Sequence, residues 1–268
     1  MDKKHLVNII QEICKKEGWS YHLNYKGKEW KADIVIEQPS SKFAINICKC
    51  PRNIESKYKI MLEDNTFGCW LLLPVDRYVD FNRNTPCFML SETNEQIEVT
   101  LYSTYYYDKG VSIEIKDFID SLIKGKIKKA NKMIVKYAEV IFINYTCWKC
   151  RSYNHVYYIK SLQSKEGVII TDVEDDNIKF NPQLIEAIKS HIENNKEKNI
   201  RLGEIKQRYS KSMDESYTSF GCINCNNIFG KIFVDDIISE DYYTPNSSYI
   251  EMGNNDFEIE ANCWYKEK

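Results

Sequence analysis

Near the start of the chain, apolar positions recur at spacings of three and four: Leu6, Ile9, Ile10 and Ile13, with Gly18 just beyond. That period predicts a half-buried helix over residues 5–16, stopped at the glycine. The period then changes to two. Trp19, Tyr21 and Leu23 alternate with polar residues and predict a strand over 19–25, closed by the turn Lys26-Gly27-Lys28. Residues 32–37 and 43–49 read as two further strands, and the short polar link Gln38-Pro39-Ser40-Ser41 makes them a hairpin. Residues 54–62 are weakly helical. Gly68 leads into Cys69-Trp70-Leu71-Leu72-Leu73, an apolar run long enough only for a strand buried on both faces. Helix, three strands, helix and strand describe a compact α/β unit.

Beyond it, strands are expected over 87–90 and 95–101, and a helix over 115–127 with Phe118, Ile119, Leu122 and Ile123 on one side. Lys124, Lys126, Lys128, Lys129, Lys132 and Lys136 follow with no intervening acid and form a basic edge. Residues 138–145, 155–161 and 228–234 read as strands. Asn181-Pro182 supplies an N-cap and a first-turn proline for a helix whose buried stripe is Leu184, Ile185, Ile188 and Ile192. The expected division is a first domain over 1–93, connecting strands and a basic helix over 94–137, and a second domain over 138–268 with a helical insertion around 180–212.

Composition narrows the class without naming a function. Of 268 residues, 43% are hydrophobic and 28% charged, which excludes a chiefly disordered, collagen-like or coiled-coil chain. With 37 Lys+Arg against 39 Asp+Glu the formal net charge is -2, so any nucleic-acid affinity must come from local patches. No segment approaches the length of a membrane span and the first residues lack a secretory pattern, which places the expected location in the cytoplasm, with no membrane partner. In that compartment ten cysteines read as thiols and metal ligands, not disulfides.

Four of those cysteines carry a pattern. Cys147-Trp148-Lys149-Cys150 and Cys222-Ile223-Asn224-Cys225 each place two thiolates across a tight turn, and together they supply a tetrahedral four-sulfur site for structural Zn²⁺. Knuckles of this kind often need a left-handed residue after the second cysteine; Asn226 suits that conformation, Arg151 less so. The 71 residues between the pairs exceed an uninterrupted zinc ribbon, and the helical insertion accounts for them. Two unrelated pairs of buried free cysteines, or a redox Cys-x-x-Cys, are the competing readings. His155, five residues past Cys150 inside an expected strand, could replace a ligand but reads first as a packed or surface histidine.

The hairpin carries the second pattern. Asp33 begins one strand and Asn46-Ile47-Cys48-Lys49 lies on the next, the layout in which the PD-(D/E)XK nuclease fold holds Mg²⁺ or Mn²⁺. The chain here resembles the competence protein CoiA-like family. The resemblance rests on Trp30-Lys31-Ala32-Asp33-Ile34-Val35, on Phe43 to Cys50, on Gly68 to Leu73, on Pro86-Cys87-Phe88-Met89-Leu90 and on the two cysteine pairs. It implies an α/β (α+β) fold, a restriction-endonuclease-like mixed sheet with flanking helices, followed by a zinc-ribbon domain carrying the helical insertion. It also implies handling of DNA. The family's second strand is similar to Glu-x-Gln-x-Ser, whereas Asn46, Cys48 and Cys50 stand in those places here. Lys57 and Met61 stand where the following helix usually presents Arg and Tyr. The resemblance therefore carries Asp33 across but not the metal-binding Glu.

Glu37 would lie about 13 Å from Asp33 along the strand, too far to share one ion. Glu12 on the first helix is the expected substitute, giving a candidate catalytic set of Asp33, Glu12, Asn46 and Cys48. Candidate nucleic-acid contacts are Lys124, Lys126, Lys128, Lys129 and Lys132, with a second basic group at Lys196, Lys198, Arg201, Lys206, Arg208 and Lys211. Residues 235–260 hold eight acids and no Lys or Arg, and should repel a phosphate backbone or shield a basic patch. Tyr105-Tyr106-Tyr107 and Tyr157-Tyr158 read as strand-filling rings before base-stacking ones. The leading expectation is a DNA-associated protein with a degenerate nuclease-like metal site, binding DNA or a DNA-processing partner. An active metal-dependent endonuclease and a zinc-stabilised protein-interaction scaffold are the alternatives.

Overall fold

The structure is a computed structural model that describes residues 1–50, 52–74, 84–93, 96–102, 110–173, 175–195, 199–240 and 247–268. Tyr105 to Tyr107, Lys196 and Lys198 lie outside the described residues. The chain divides into two units. One holds Met1–Asn131, Glu166–Val168 and Ala261–Lys268, the other Lys132–Lys165 and Ile169–Glu260.

The first unit opens with α1 (Lys3–Glu17), where Asp2 accepts the His5 amide and Gly18 takes φ 72° to end the helix. Then come β1 (Ser20–Lys26), β2 (Lys31–Gln38), β3 (Ser41–Cys48), α2 (Ile54–Glu63) and β4 (Thr66–Leu72), the helix, three strands, helix and strand read from the sequence. After β5 (Cys87–Thr93), β6 (Gln96–Tyr102) and β7 (Gly110–Glu114) comes α3 (Ile115–Ile123). All seven strands form one sheet in sequence order. β3, β4 and β5 run parallel, with antiparallel neighbours on either side. The unit is thus mixed α/β, with a large mixed sheet and flanking helices. It extends well past residue 93, because β6, β7 and α3 complete the same sheet and core.

Each sheet face is covered. Leu6, Ile10 and Ile13 of α1 and Phe118, Ile119 and Leu122 of α3 pack with Ile34, Ile36, Ile45, Ile47, Cys69 and Leu71. On the other face, Ile54 and Met61 of α2 pack with Val35, Ala44, Trp70 and Leu72. β4 is therefore buried on both sides, as its continuous apolar run requires. Gly68 makes this packing possible, since a Cβ there would lie 2.4 Å from the Met61 sulfur.

β8 (Ile127–Val135) follows α3 and pairs with β15 (Phe257–Lys266). The expected helix thus stops at Ile123; Lys128, Lys129 and Lys132 sit on β8, and Lys126 and Lys136 flank it. Ile127, Ala130 and Met133 are buried at intervals of three, a spacing that imitates a helical stripe. In the second unit β9 (Tyr137–Thr146) and β10 (Tyr153–Gln163) pair antiparallel, flanked by β11 (Ile169–Val173) and, further along the chain, β14 (Ser247–Glu251). α4 (Asp176–Lys179), α5 (Pro182–Asn194) and the hairpin of β12 (Lys206–Ser210) and β13 (Glu215–Ser219) fill the interval between the cysteine pairs, so the insertion is mixed and not purely helical. Asn181 caps α5 through the amides of Gln183 and Leu184. The strand expected over 228–234 is replaced by α6 (Lys231–Glu240). Val234 is buried while Ile232 and Phe233 are exposed, which a strand buried on both faces would not allow.

Candidate functional sites

The hairpin places its polar residues as the sequence register demands. Ile34 opposes Ile45 and Glu37 opposes Lys42, a register that sets Asp33 opposite Asn46. Asp33, Asn46 and Cys48 line one cavity of about 510 Å³. Asp33 does not stand open in it. One carboxylate oxygen accepts the Ile47 amide at 2.8 Å, and the other lies 2.7 Å from the Lys3 ammonium at the start of α1. The Asn46 side-chain nitrogen is buried and has no acceptor. Burial pushes the Cys48 thiol up from its ordinary value, so it is a neutral thiol near pH 7.

Glu12 does not join this group. It is exposed on α1 and absent from the cavity wall, nine residues or about 13 Å along the helix axis from Lys3. α1 therefore delivers a cation to Asp33 where a second acid was expected. Glu37 is engaged elsewhere, with His22 at 3.3 Å and Lys42 at 3.9 Å. A single carboxylate tied to a lysine and a backbone amide, beside a neutral amide and a neutral thiol, is a poor donor set for a hard divalent ion. Mg²⁺ or Mn²⁺ does not fit these residues.

What the cavity does offer is positive charge. Lys3, Lys26, Lys31, Arg52 and Lys57 line it against the one carboxylate of Asp33, a net charge of +4. Among the described residues no acid comes within salt-bridge distance of Lys26, Lys31, Arg52 or Lys57. Sequence reasoning missed four of these five as site residues, because they converge from α1, β1, β2 and the β3–α2 connection and share no local motif. Lys57 stood in view only as the family's Arg position. Met61, its companion, is buried in the core.

Half of the lysine edge is ion-paired. Lys124 pairs with Asp120 at 2.8 Å and Lys132 with Glu258 at 2.7 Å, while Lys136 pairs with Asp256 and Lys129 donates to the Asn84 side chain. The acidic C-terminal stretch thus supplies counter-charges to the basic strand. Among the described residues only Lys126 and Lys128 of the five candidates lack a side-chain partner. Arg208, from the second basic group, donates to the carbonyls of Glu204 and Ser219 and to the Asn226 side chain. It braces the second cysteine turn and is not available to phosphate. Tyr157 is fully buried, with its hydroxyl donating to the Lys179 carbonyl, so it is a core ring.

The two cysteine pairs converge. Their four sulfurs all lie within 4.8 Å of one another, with Cys150 and Cys222 3.5 Å apart and Cys147 and Cys225 3.7 Å apart. A tetrahedron with metal–sulfur bonds of about 2.3 Å has edges of about 3.8 Å, so the cluster has the dimensions of a four-thiolate metal site. The turns are built alike. The Arg151 amide donates to the Cys147 carbonyl and the Asn226 amide to that of Cys222, both at 2.9 Å. Cys147 donates to Ser152 and Cys222 to Asn227 in the same way. Arg151 at φ 59° and Asn226 at φ 53° take the left-handed conformation expected after each second cysteine.

Around Cys222, burial opposes ionisation, yet the Ser152 hydroxyl and the amides of Cys225 and Asn224 outweigh it and bring the thiol down to about 5. Such donors orient the ligand and stabilise its thiolate. His155 stands apart from the sulfurs: it is buried, and its Nδ1 accepts the Arg201 amide at 2.9 Å. The four cysteines could hold a metal ion, with no open position for a substrate.

No protein-family model matches the chain, and no curated protein or solved structure matches it. Among the described residues no helix is long and apolar enough to cross a membrane.

Proposed function

We propose that this is a nucleic-acid-binding protein of CoiA-like plan, in which a restriction-endonuclease-like unit has exchanged metal-dependent cleavage for direct binding of phosphate. The observation that carries the reading is the Lys3–Asp33 ion pair, set in a cavity with four further cations and with Asn46 in place of an acid. In a two-acid site a divalent ion neutralises the substrate phosphate. Here lysine and arginine side chains supply that charge, and the remaining carboxylate caps the Ile47 amide while offsetting part of the Lys3 charge. The order α1, β1, β2, β3, α2, β4 and the Asp33–Asn46 register support the nuclease-like plan.

In the second unit the cysteine cluster is the site of a structural Zn²⁺, ligated by Cys147, Cys150, Cys222 and Cys225. When bound, the ion supplies a cross-link between two turns far apart in the chain, and its closed sulfur shell gives it no part in chemistry.

Fluorescence anisotropy with labelled single-stranded and duplex DNA and RNA, repeated at rising salt, tests the reading. Binding that weakens steeply with salt supports it, and the absence of binding at 50 mM salt refutes it. A parallel incubation with Mg²⁺ or Mn²⁺ should yield no cleavage product.

A further inference from the structure

We propose that the cavity receives the phosphorylated end of a nucleic-acid strand; this rests on the nucleic-acid reading above and names what the pocket recognises. Three features of the wall point to a concentrated anion. Lys26 and Lys31 are direct cross-strand partners on β1 and β2, a like-charge pair that is unfavourable unless a counter-charge sits over it. No described acid does so. The buried Asn46 nitrogen is a donor without an acceptor, and a turn of this amide toward the cavity that Asn46 lines would let a phosphate oxygen satisfy it. Finally, a net charge of +4 is gathered around a cavity of about 510 Å³, a volume in the range of small-ligand sites.

An internal phosphodiester brings a single negative charge to such a pocket. A terminal phosphate brings about two, because its second ionisation lies near pH 6, and the adjoining diester adds another. A strand end thus brings about three charges where two successive internal diesters bring two, and it concentrates about two of them on one phosphate. Lys57 from α2 and Arg52 before it add cations to those of α1, β1 and β2, so the phosphate is met by side chains from several elements. No metal and no bond-breaking step is involved.

The test uses the full-length protein in excess EDTA with a labelled ten-nucleotide single strand in three forms: 5′-phosphorylated, 3′-phosphorylated and hydroxyl at both ends. At least one phosphorylated form should bind tenfold or more tightly than the hydroxyl form, and the two phosphorylated arms identify which end is read. Inorganic phosphate should compete with that form at millimolar concentration. Lys57→Gln and Lys31→Gln should each reduce the preference to threefold or less without lowering the melting temperature. Lys59→Gln, exposed on the same helix as Lys57, should leave it intact. Equal affinity for all three ends would overturn end recognition while leaving nucleic-acid binding in place. Failure of every form to bind would overturn both. A preference that survives both pocket variants would also overturn the assignment to this cavity.

Discussion

Replacing Asp33 by Asn separates a phosphate pocket from a metal site by the sign of its effect. The amide oxygen of Asn can still accept the Ile47 N–H, so that buried donor stays satisfied. The ion pair to Lys3 is lost, but Lys3 is about half exposed, and such pairs contribute about 0.2–1 kcal/mol. Stability should therefore fall by no more than about 1 kcal/mol.

Binding should change in the opposite direction, because the substitution removes the cavity's one negative charge and releases Lys3. A charge about 6 Å from a phosphate contributes roughly 2.8 kcal/mol at an effective dielectric of about 20 and 0.7 kcal/mol at about 80. Screening favours the lower figure, so Asp33→Asn should bind a phosphorylated oligonucleotide at least threefold tighter in 50 mM salt and EDTA. In a site that works through a bound divalent ion, the same change would weaken function. Anisotropy titration of wild type and variant measures the difference, and an affinity loss of threefold or more with an unchanged melting temperature would refute the reasoning.

Three further outcomes concern the second unit. Elemental analysis should find one zinc per chain, and a strong chelator or Cys222→Ser should abolish hydrogen-exchange protection in β9 and β10 while sparing β3 and β4, since a structural zinc contributes on the order of 10 kcal/mol; unchanged protection would count against a structural ion. Arg208→Ala leaves the buried Ser219 carbonyl and the Asn226 side chain without their donor, so zinc should be released at severalfold lower chelator concentration, in line with a cost of about 1–3 kcal/mol. His155 is held below its ordinary value of 6.5 by burial and then by the nearby Arg201, so below pH 6.5 the unfolded chain takes up a proton that the folded chain resists. Stability is thus retained above that pH and lost as the pH falls, and His155→Gln should flatten the melting-temperature decline between pH 6.5 and 5 relative to wild type.

Local patterns were enough wherever the decisive interaction is local. The three-and-four spacing of Leu6, Ile10 and Ile13 with Gly18 defines α1, and the short link at Pro39 sets the hairpin register that brings Asp33 opposite Asn46. Two cysteines across a tight turn have few geometric options, which is why both knuckles and their left-handed residues were legible. Short or misleading periods were not. Ile228 to Val234 is too brief and too β-branched for its helical face to stand out, and β8 buries residues three apart although it is a strand. The cations of the cavity were illegible for a different reason. Lys3 meets Asp33 only after α1 has packed on the sheet, so the sequence pattern suggested an acid from that helix and the fold supplied a base from its other end. The partners of Lys132 and Lys136, more than a hundred residues away, are equally invisible before folding.

The central claim is that cationic side chains, and not a divalent ion, hold phosphate beside Asp33. It is met most directly by titrating one phosphorylated oligonucleotide in EDTA and again in 5 mM Mg²⁺ at matched ionic strength, with the strand recovered and sized afterwards. Equal dissociation constants within twofold and an intact strand are the expected result. Binding that appears only with Mg²⁺, or a strand shortened in a manner that Asp33→Asn abolishes, would contradict it.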